Sequence, residues 1–183
     1  MFLSFQGRDC RQKGAKLYET AVRQSRRPVF YAELGVPDTL DGRFDTLCLH
    51  VYLVVDRLCR AGRPGRQMAQ AVFNQMFLDM ERAVREMGIG DLSVPKHVRR
   101  MMKAFNGRRI AYEKSMGGQG LEETLARNIY GGMRMDPAAL RALAAYVRQA
   151  HASLAAQADE ALLRGTAAFP GEYDDRKKAA GAA

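Results

Sequence analysis

The sequence predicts an all-α fold, a single-domain helical bundle of about five to six helices. Three long segments repeat apolar residues at intervals of three and four positions, which is the spacing of one helix face. No stretch alternates apolar and polar residues as a half-buried strand would. The 183 residues, 47% of them hydrophobic, are enough to bury one sizeable core.

The first core helix is predicted around the apolar decapeptide TLCLHVYLVV, residues 46–55. Asp45 and Asp56 bound this run, which is far shorter than the roughly 20 residues that a membrane-spanning helix needs. Asp38 follows GVP and is the predicted N-cap of the helix. Besides the main apolar stripe, Leu49 and Leu53 lie on the opposite side, so other elements are expected to cover this helix all round. The main stripe comprises Leu47, Val51, Val54, Val55 and Leu58.

The clearest helical period predicts a second helix over residues 65–87, closed by Gly88. A third helix is predicted to begin at Ser93 or Val94, with Pro95 in its first turn. Arg109 interrupts the apolar stripe of this third helix. Two explanations stay open: the helix bends at NGRR, residues 106–109, or Arg109 is buried against an acid.

Glycines and a proline punctuate the rest of the chain. MGGQG is predicted to be a loop, LEETLARNIYGG a short helix, and Asp136 the cap of a last helix that runs to about Leu163. The predicted organisation has three parts: a basic, partly helical N-terminal arm over 1–27, a helical bundle over 28–165, and a flexible tail over 166–183.

Cysteine usage and the N-terminus indicate where the protein works. Cys10, Cys48 and Cys59 form no CxxC pair and are odd in number, which favours a reducing, intracellular compartment. The first 27 residues contain no apolar core of a secretory signal, and their arginines leave a short organelle-targeting peptide open.

The positive charge is concentrated in two segments of the chain. Residues 1–27 carry seven basic and two acidic side chains, and residues 96–114 carry seven and one. On the predicted third helix, the basic side chains lie opposite the apolar stripe. We expect them to contact a polyanion, either an anionic bilayer or RNA, the alternative being a merely solvated face. The predicted contact residues are Lys96, Arg99, Arg100, Lys103, Arg108 and Lys114.

Residue patterns typical of enzymes are not found. His50, His97 and His151 are dispersed, without the HExxH, ExxH, GxSxG or P-loop patterns, so no catalytic residue, metal or cofactor is expected. His50 borders an apolar stripe and is predicted to be buried and hydrogen-bonded, with Asp79 as its partner. Leu78 lies on the polar side of its helix, and either another helix covers it or it is a docking surface for a partner.

Four segments together resemble the ubiquinol-cytochrome c chaperone family over roughly residues 28–165. They are the turn GVPD with Gly35, Pro37 and Asp38, the stretch LHV with His50, FLDMERAVREMG with Asp79, and VPKHVRRMMKAF. The resemblance implies a non-enzymatic assembly factor for respiratory complex III that binds newly made cytochrome b at the membrane. Its mitochondrial members also associate with the translating ribosome.

Family resemblance and composition together give the expected setting. The short N-terminus and the richness in Ala, Gly and Arg suggest a bacterial member, peripheral on the cytoplasmic face of the inner membrane, or on the matrix side if the source is eukaryotic. The expected partners are cytochrome b and an anionic membrane surface, with a ribosome or a small subunit left open and no DNA. The alternative functions are an RNA-binding module that uses segments 1–27 and 96–114, and, ranked last, an enzyme with an open cleft around His50 and Asp79.

Overall fold

The computed structural model describes residues 2–171, with side chains from residue 7 onward. Within that range the chain forms eight helices and no strand, which confirms the predicted all-α, single-domain fold. Five helices are long and three, α2, α6 and α8, have eight residues or fewer. The helices are α1 (Phe2–Ser25), α2 (Pro28–Ala32), α3 (Leu40–Cys59), α4 (Gly62–Glu86), α5 (Val94–Met116), α6 (Leu121–Asn128), α7 (Pro137–Ala155) and α8 (Asp159–Leu163).

Helix α3 is the central element of the bundle. It packs against α1, α4, α5 and α7. Leu49 and Leu53, which lie opposite the main stripe, are fully buried, so the helix is covered all round as predicted. The apolar decapeptide is therefore a core helix. Among the helices in residues 2–171, none combines the length and apolarity needed to cross a bilayer.

The start of α3 differs from the prediction by one residue. Thr39, not Asp38, is the N-cap, and its hydroxyl accepts a hydrogen bond of 3.1 Å from the backbone N–H of Gly42. Asp38 instead pairs with Arg43 at 2.6 Å on the surface. A Cβ on Gly42 would lie 2.0 Å from the carbonyl oxygen of Pro37, so only glycine permits this turn to fold back on the helix.

At both ends of the predicted division into an arm, a bundle and a tail, described residues belong to the bundle. Helix α1 packs along α4 and α3, and its short apolar stripe of Leu17, Tyr18 and Ala21 belongs to the core. Over its described side chains α1 is thus part of the bundle and not an arm outside it, because this stripe removes enough apolar surface from water to dock the helix. At the other end Ala167 and Phe169 are buried, and the rest of the predicted tail, 172–183, lies outside the described residues.

Helix α5 continues without interruption through NGRR, residues 106–109. Arg109 is not buried against an acid but pairs with Glu113 one turn further along the surface, at 3.0 Å. The arginine that does reach a buried acid is the preceding one, Arg108, which lies 2.6 Å from Asp45 of α3. The interruption of the apolar stripe therefore marks an interhelical ion pair one position away.

Arg57 connects the middle of the bundle to the end of α7. From α3 its Nε donates to the carbonyl of Leu154 at 3.0 Å, and its Nη2 donates to the carbonyl of Gln157 at 2.6 Å. The same Nη2 lies 2.5 Å from a carboxylate oxygen of Asp159 in the first turn of α8. A buried cation thus satisfies carbonyls at the C-terminal end of one helix and holds the start of the next.

We expect Arg57→Met to lower the free energy of unfolding by about 2–3 kcal/mol, because it leaves two carbonyls without their charged donor. Asp159→Asn is the matched control, since it removes only a half-exposed partner and is expected to cost less than about 1 kcal/mol. Urea denaturation of the two variants measures both values. If both variants lose the same free energy of unfolding, the stabilisation comes from the ion pair and not from the capping of α7.

Candidate interaction surface on helix α5

Helix α5 carries a row of exposed cations. Lys96, Arg100 and Lys103 follow one another at intervals of four and three, so they project from one side of the helix over about 10 Å. Arg99 lies beside this row and donates to the carbonyl of Pro95, 3.2 Å away. Within the described residues none of these four side chains pairs with an acid, so the basic face, as we call Lys96, Arg99, Arg100 and Lys103, keeps its full positive charge.

The other two predicted contact residues differ from each other. Lys114 is exposed and continues the row of the basic face about 16 Å beyond Lys103. Arg108 does not belong to the exposed set: it is partly buried, pairs with Asp45 and lies over the ring of Phe44 at 5.7 Å. Its position on the helix, displaced from the row, turns it towards α3 and explains the difference.

Burial raises the pKa of Asp45 to about 6, even though Arg108 lowers it by charge and hydrogen bonding. Desolvation is thus the larger effect on this carboxyl. The pair links α5 to α3, against which α5 packs, while the side chains of the basic face stay exposed.

Two apolar side chains are exposed in the connection between α4 and α5. Leu92 is 99% exposed and lies four residues before Lys96, the first cation of the basic face, and Met87 is 61% exposed at the end of α4. Gly88 turns the chain there with φ +76, and Arg85 pairs with Asp91 across the connection. An exposed apolar tip beside cations is a combination that sequence periodicity did not reveal, since Met87 continues the apolar spacing of the second predicted helix and Leu92 lies between two predicted helices.

His50 is buried as predicted, but its predicted partner is wrong. Its Nδ1 lies 2.7 Å from the carbonyl oxygen of Thr46, and its Nε2 lies 2.8 Å from the hydroxyl of Tyr146 on α7. Asp79 is engaged elsewhere, because it accepts a hydrogen bond of 2.7 Å from the hydroxyl of Tyr18 on α1. His50 on α3 therefore contacts α7, whereas Asp79 on α4 contacts α1.

These contacts define the protonation state of His50. A carbonyl only accepts, so Nδ1 carries the proton, and Nε2 accepts from the Tyr146 hydroxyl, which in turn accepts from the amide of Gln24. Rings of Phe30 and Phe169 pack edge-on against the imidazole. Burial lowers the pKa of His50 to about 4, which keeps the ring neutral at physiological pH.

The arrangement around His50 offers no cleft for catalysis. The side chain is fully buried, and the acid proposed to share its site hydrogen-bonds to α1 instead. Among the described residues, no group of three or more His, Cys, Asp or Glu side chains is placed to hold a metal ion. His50 is a structural residue in this fold, and an open catalytic cleft around His50 and Asp79 is not formed.

The remaining predicted residues lie at the surface or in the turn before α3. Leu78 is 58% exposed, so no other described helix covers it. Gly35 takes φ +66 between α2 and α3, and Pro37 supplies the carbonyl that rests on Gly42. His151 on α7 is partly buried and lies 3.1 Å from Asp56 of α3.

Comparison with known proteins gives consistent matches. A family model described as ubiquinol-cytochrome C chaperone matches residues 32–169. Over 136 residues the chain is 27% identical to ubiquinol-cytochrome-c reductase complex assembly factor 1 of Xenopus laevis, covering 73% of this chain and 68% of that protein. The Mus musculus protein of the same name is also 27% identical, and the chain spans 46% of its length. The crystal structure of the Cbp3 homolog from Brucella abortus superposes with a TM-score of 0.79 and 32% identity, covering 92% of this chain and 96% of that one.

Proposed function

Because this chain belongs to the ubiquinol-cytochrome c chaperone family, we propose that it is an assembly chaperone for the ubiquinol-cytochrome c reductase complex. The family implies a non-enzymatic role, and the curated relatives are named as assembly factors of that complex. The observation that carries the proposal is the family match over 32–169, which spans α3 to α8 and includes the entire basic face.

We further propose that cytochrome b is the client and that the protein meets it at a membrane surface. The basic face supplies four cations that make no ion pair with the described residues, and each is worth about 1 kcal/mol near an anionic lipid surface. Leu92 lies four residues before Lys96, Met87 is exposed in the same connection, and both side chains are suited to the boundary between headgroups and acyl chains. An RNA partner would leave these two apolar side chains uncovered, so the apolar tip favours the bilayer over RNA.

Leu78 is the proposed contact for the client or for a partner subunit. It is a large apolar side chain exposed on α4, on a different side of that helix from Phe73 and Met80, which pack towards the core. A chaperone for a multi-spanning protein must cover helix surface that other subunits later bury, and an isolated exposed leucine provides such a contact. The proposed location is the cytoplasmic face of a bacterial inner membrane, or the matrix side in a eukaryote.

Site-specific photo-crosslinking in intact cells tests the client. A photoreactive residue is placed at Leu78, at Leu92 and, as an exposed polar control on α7, at Gln149. We expect cytochrome b among the products at Leu78, and lipid at Leu92, with neither at Gln149. Products that contain RNA or ribosomal proteins alone, with the reductase complex assembling normally when the gene is removed, would contradict the proposed function.

A further inference from the structure

A shallow depression of about 420 Å³ lies between α5 and α6, at the edge of the basic face. Three of its six lining residues are cationic, and a Cβ at Gly107 would point into open space, because it would meet no atom within 4 Å. The lining residues are Arg100, Lys103, Ala104, Gly107, Arg108 and Asn128.

Two of the lining side chains hold buried N–H groups without an acceptor. Arg108 places one terminal nitrogen against Asp45 and another against the carbonyl of Ala104, but its Nε has no partner among the described residues. The amide nitrogen of Asn128, the last residue of α6, is likewise buried and unpartnered within the part of the chain described. Beside Arg108 the chain itself offers an acceptor, because Oδ1 of Asp45 is also buried without a hydrogen-bond partner. The Asn128 amide has no such partner within the described residues, and a buried donor left unsatisfied is costly, so it points to an acceptor from outside the chain.

The charge around the depression indicates what that acceptor is. Arg100 and Lys103 make no ion pair within residues 7–171, and Asp45 neutralises only Arg108, which leaves a net charge of about +2 at the depression. A phosphate group offers several oxygen acceptors and negative charge, and guanidinium groups match its geometry.

We propose that this depression binds the phosphate of an anionic phospholipid headgroup. The inference rests on the proposed membrane contact and gives it a specific site. Ile110, 44% exposed, stands two turns beyond Lys103 on the same side of α5, and Leu92 stands at its start. Cationic residues flanked by exposed apolar side chains match a headgroup and the acyl region below it, whereas an RNA strand or free phosphate would leave these side chains in water.

Gly107→Leu tests the site, because it places a bulky side chain among the lining residues without changing charge and favours the helix. Its matched control is Asn106→Leu, which adds the same side chain at the exposed neighbouring position. In sedimentation with phosphatidylglycerol vesicles, we expect Gly107→Leu to weaken binding about tenfold, the loss of one good anchoring contact, and Asn106→Leu to leave it within about twofold. Asn128→Leu removes the amide donor, again without a charge change, and is expected to weaken binding similarly.

The outcomes separate this site from the proposed function. Equal vesicle binding by the wild-type protein and all three leucine variants would overturn the headgroup site and leave the membrane contact standing. No vesicle binding by the wild-type protein would overturn both. Binding of inorganic phosphate or single-stranded RNA that Gly107→Leu abolishes, without vesicle binding, would overturn the lipid as the source of the phosphate. Thermal melts of each variant confirm that the fold is retained.

Discussion

Reversing Lys96, Arg99, Arg100 and Lys103 to Glu is expected to release the protein from anionic vesicles while leaving its fold intact. Each basic residue near an anionic surface contributes about 1 kcal/mol, so loss of four alone weakens binding by roughly a thousandfold, before the repulsion of the new acids is counted. The fold is retained because all four side chains are exposed and none makes an ion pair within the described residues. Vesicle sedimentation and a thermal melt measure the two halves of the prediction.

The matched control reverses four exposed arginines away from α5, which changes the net charge by the same amount. We expect this control to keep most of the vesicle affinity, because screening confines each charge to about 8–10 Å at physiological salt. Equal sedimentation of the α5 variant and the wild-type protein would contradict the basic face as the contact. The control residues are Arg134, Arg141, Arg148 and Arg164.

Replacing His50 by Ala is expected to lower the free energy of unfolding by about 3–4 kcal/mol. The substitution opens a cavity among Phe30, Phe169 and Tyr146 and leaves the Tyr146 hydroxyl without its acceptor. Tyr146→Phe removes the hydroxyl alone and is expected to cost about 1–2 kcal/mol. Chemical denaturation measures both. A wild-type melting temperature for His50→Ala would contradict a structural role for His50.

The pH dependence of stability is a second test of the buried, neutral state of His50. Burial lowers the pKa of His50 from an ordinary 6.5 to about 4, so between these values the unfolded chain takes up a proton that the folded protein excludes. Stability is therefore expected to fall by up to about 3 kcal/mol as the pH drops from 6.5 to 4. Asp45, whose pKa is raised to about 6, acts in the opposite direction. Asp45 contributes equally to the wild-type protein and to His50→Gln, so the difference between their free energies of unfolding reports on His50 alone. A difference that does not change with pH would contradict the lowered pKa of His50.

Much of the candidate surface was predictable from spacing along the chain. The intervals among Lys96, Arg100 and Lys103 place them together on one side of α5, and that side is exposed in the structure. Arg108 shows where prediction from spacing fails. It is charged and close to the same row, yet it pairs with Asp45, which is far away in sequence. The depression at Gly107 was not predictable, since it needs Asn128 of α6 to come beside α5.

By itself the sequence determined that the protein is a helical bundle, that His50 is buried and that a cationic row faces outward. These properties depend on the helical period, which fixes the side of its own helix on which each residue lies. The tertiary structure alone decided that His50 meets Tyr146, that Asp79 meets Tyr18, and that α1 joins the core. The physical reason is that the period of a helix says nothing about which neighbour packs on each side, and that choice is made by all the interfaces of the bundle together.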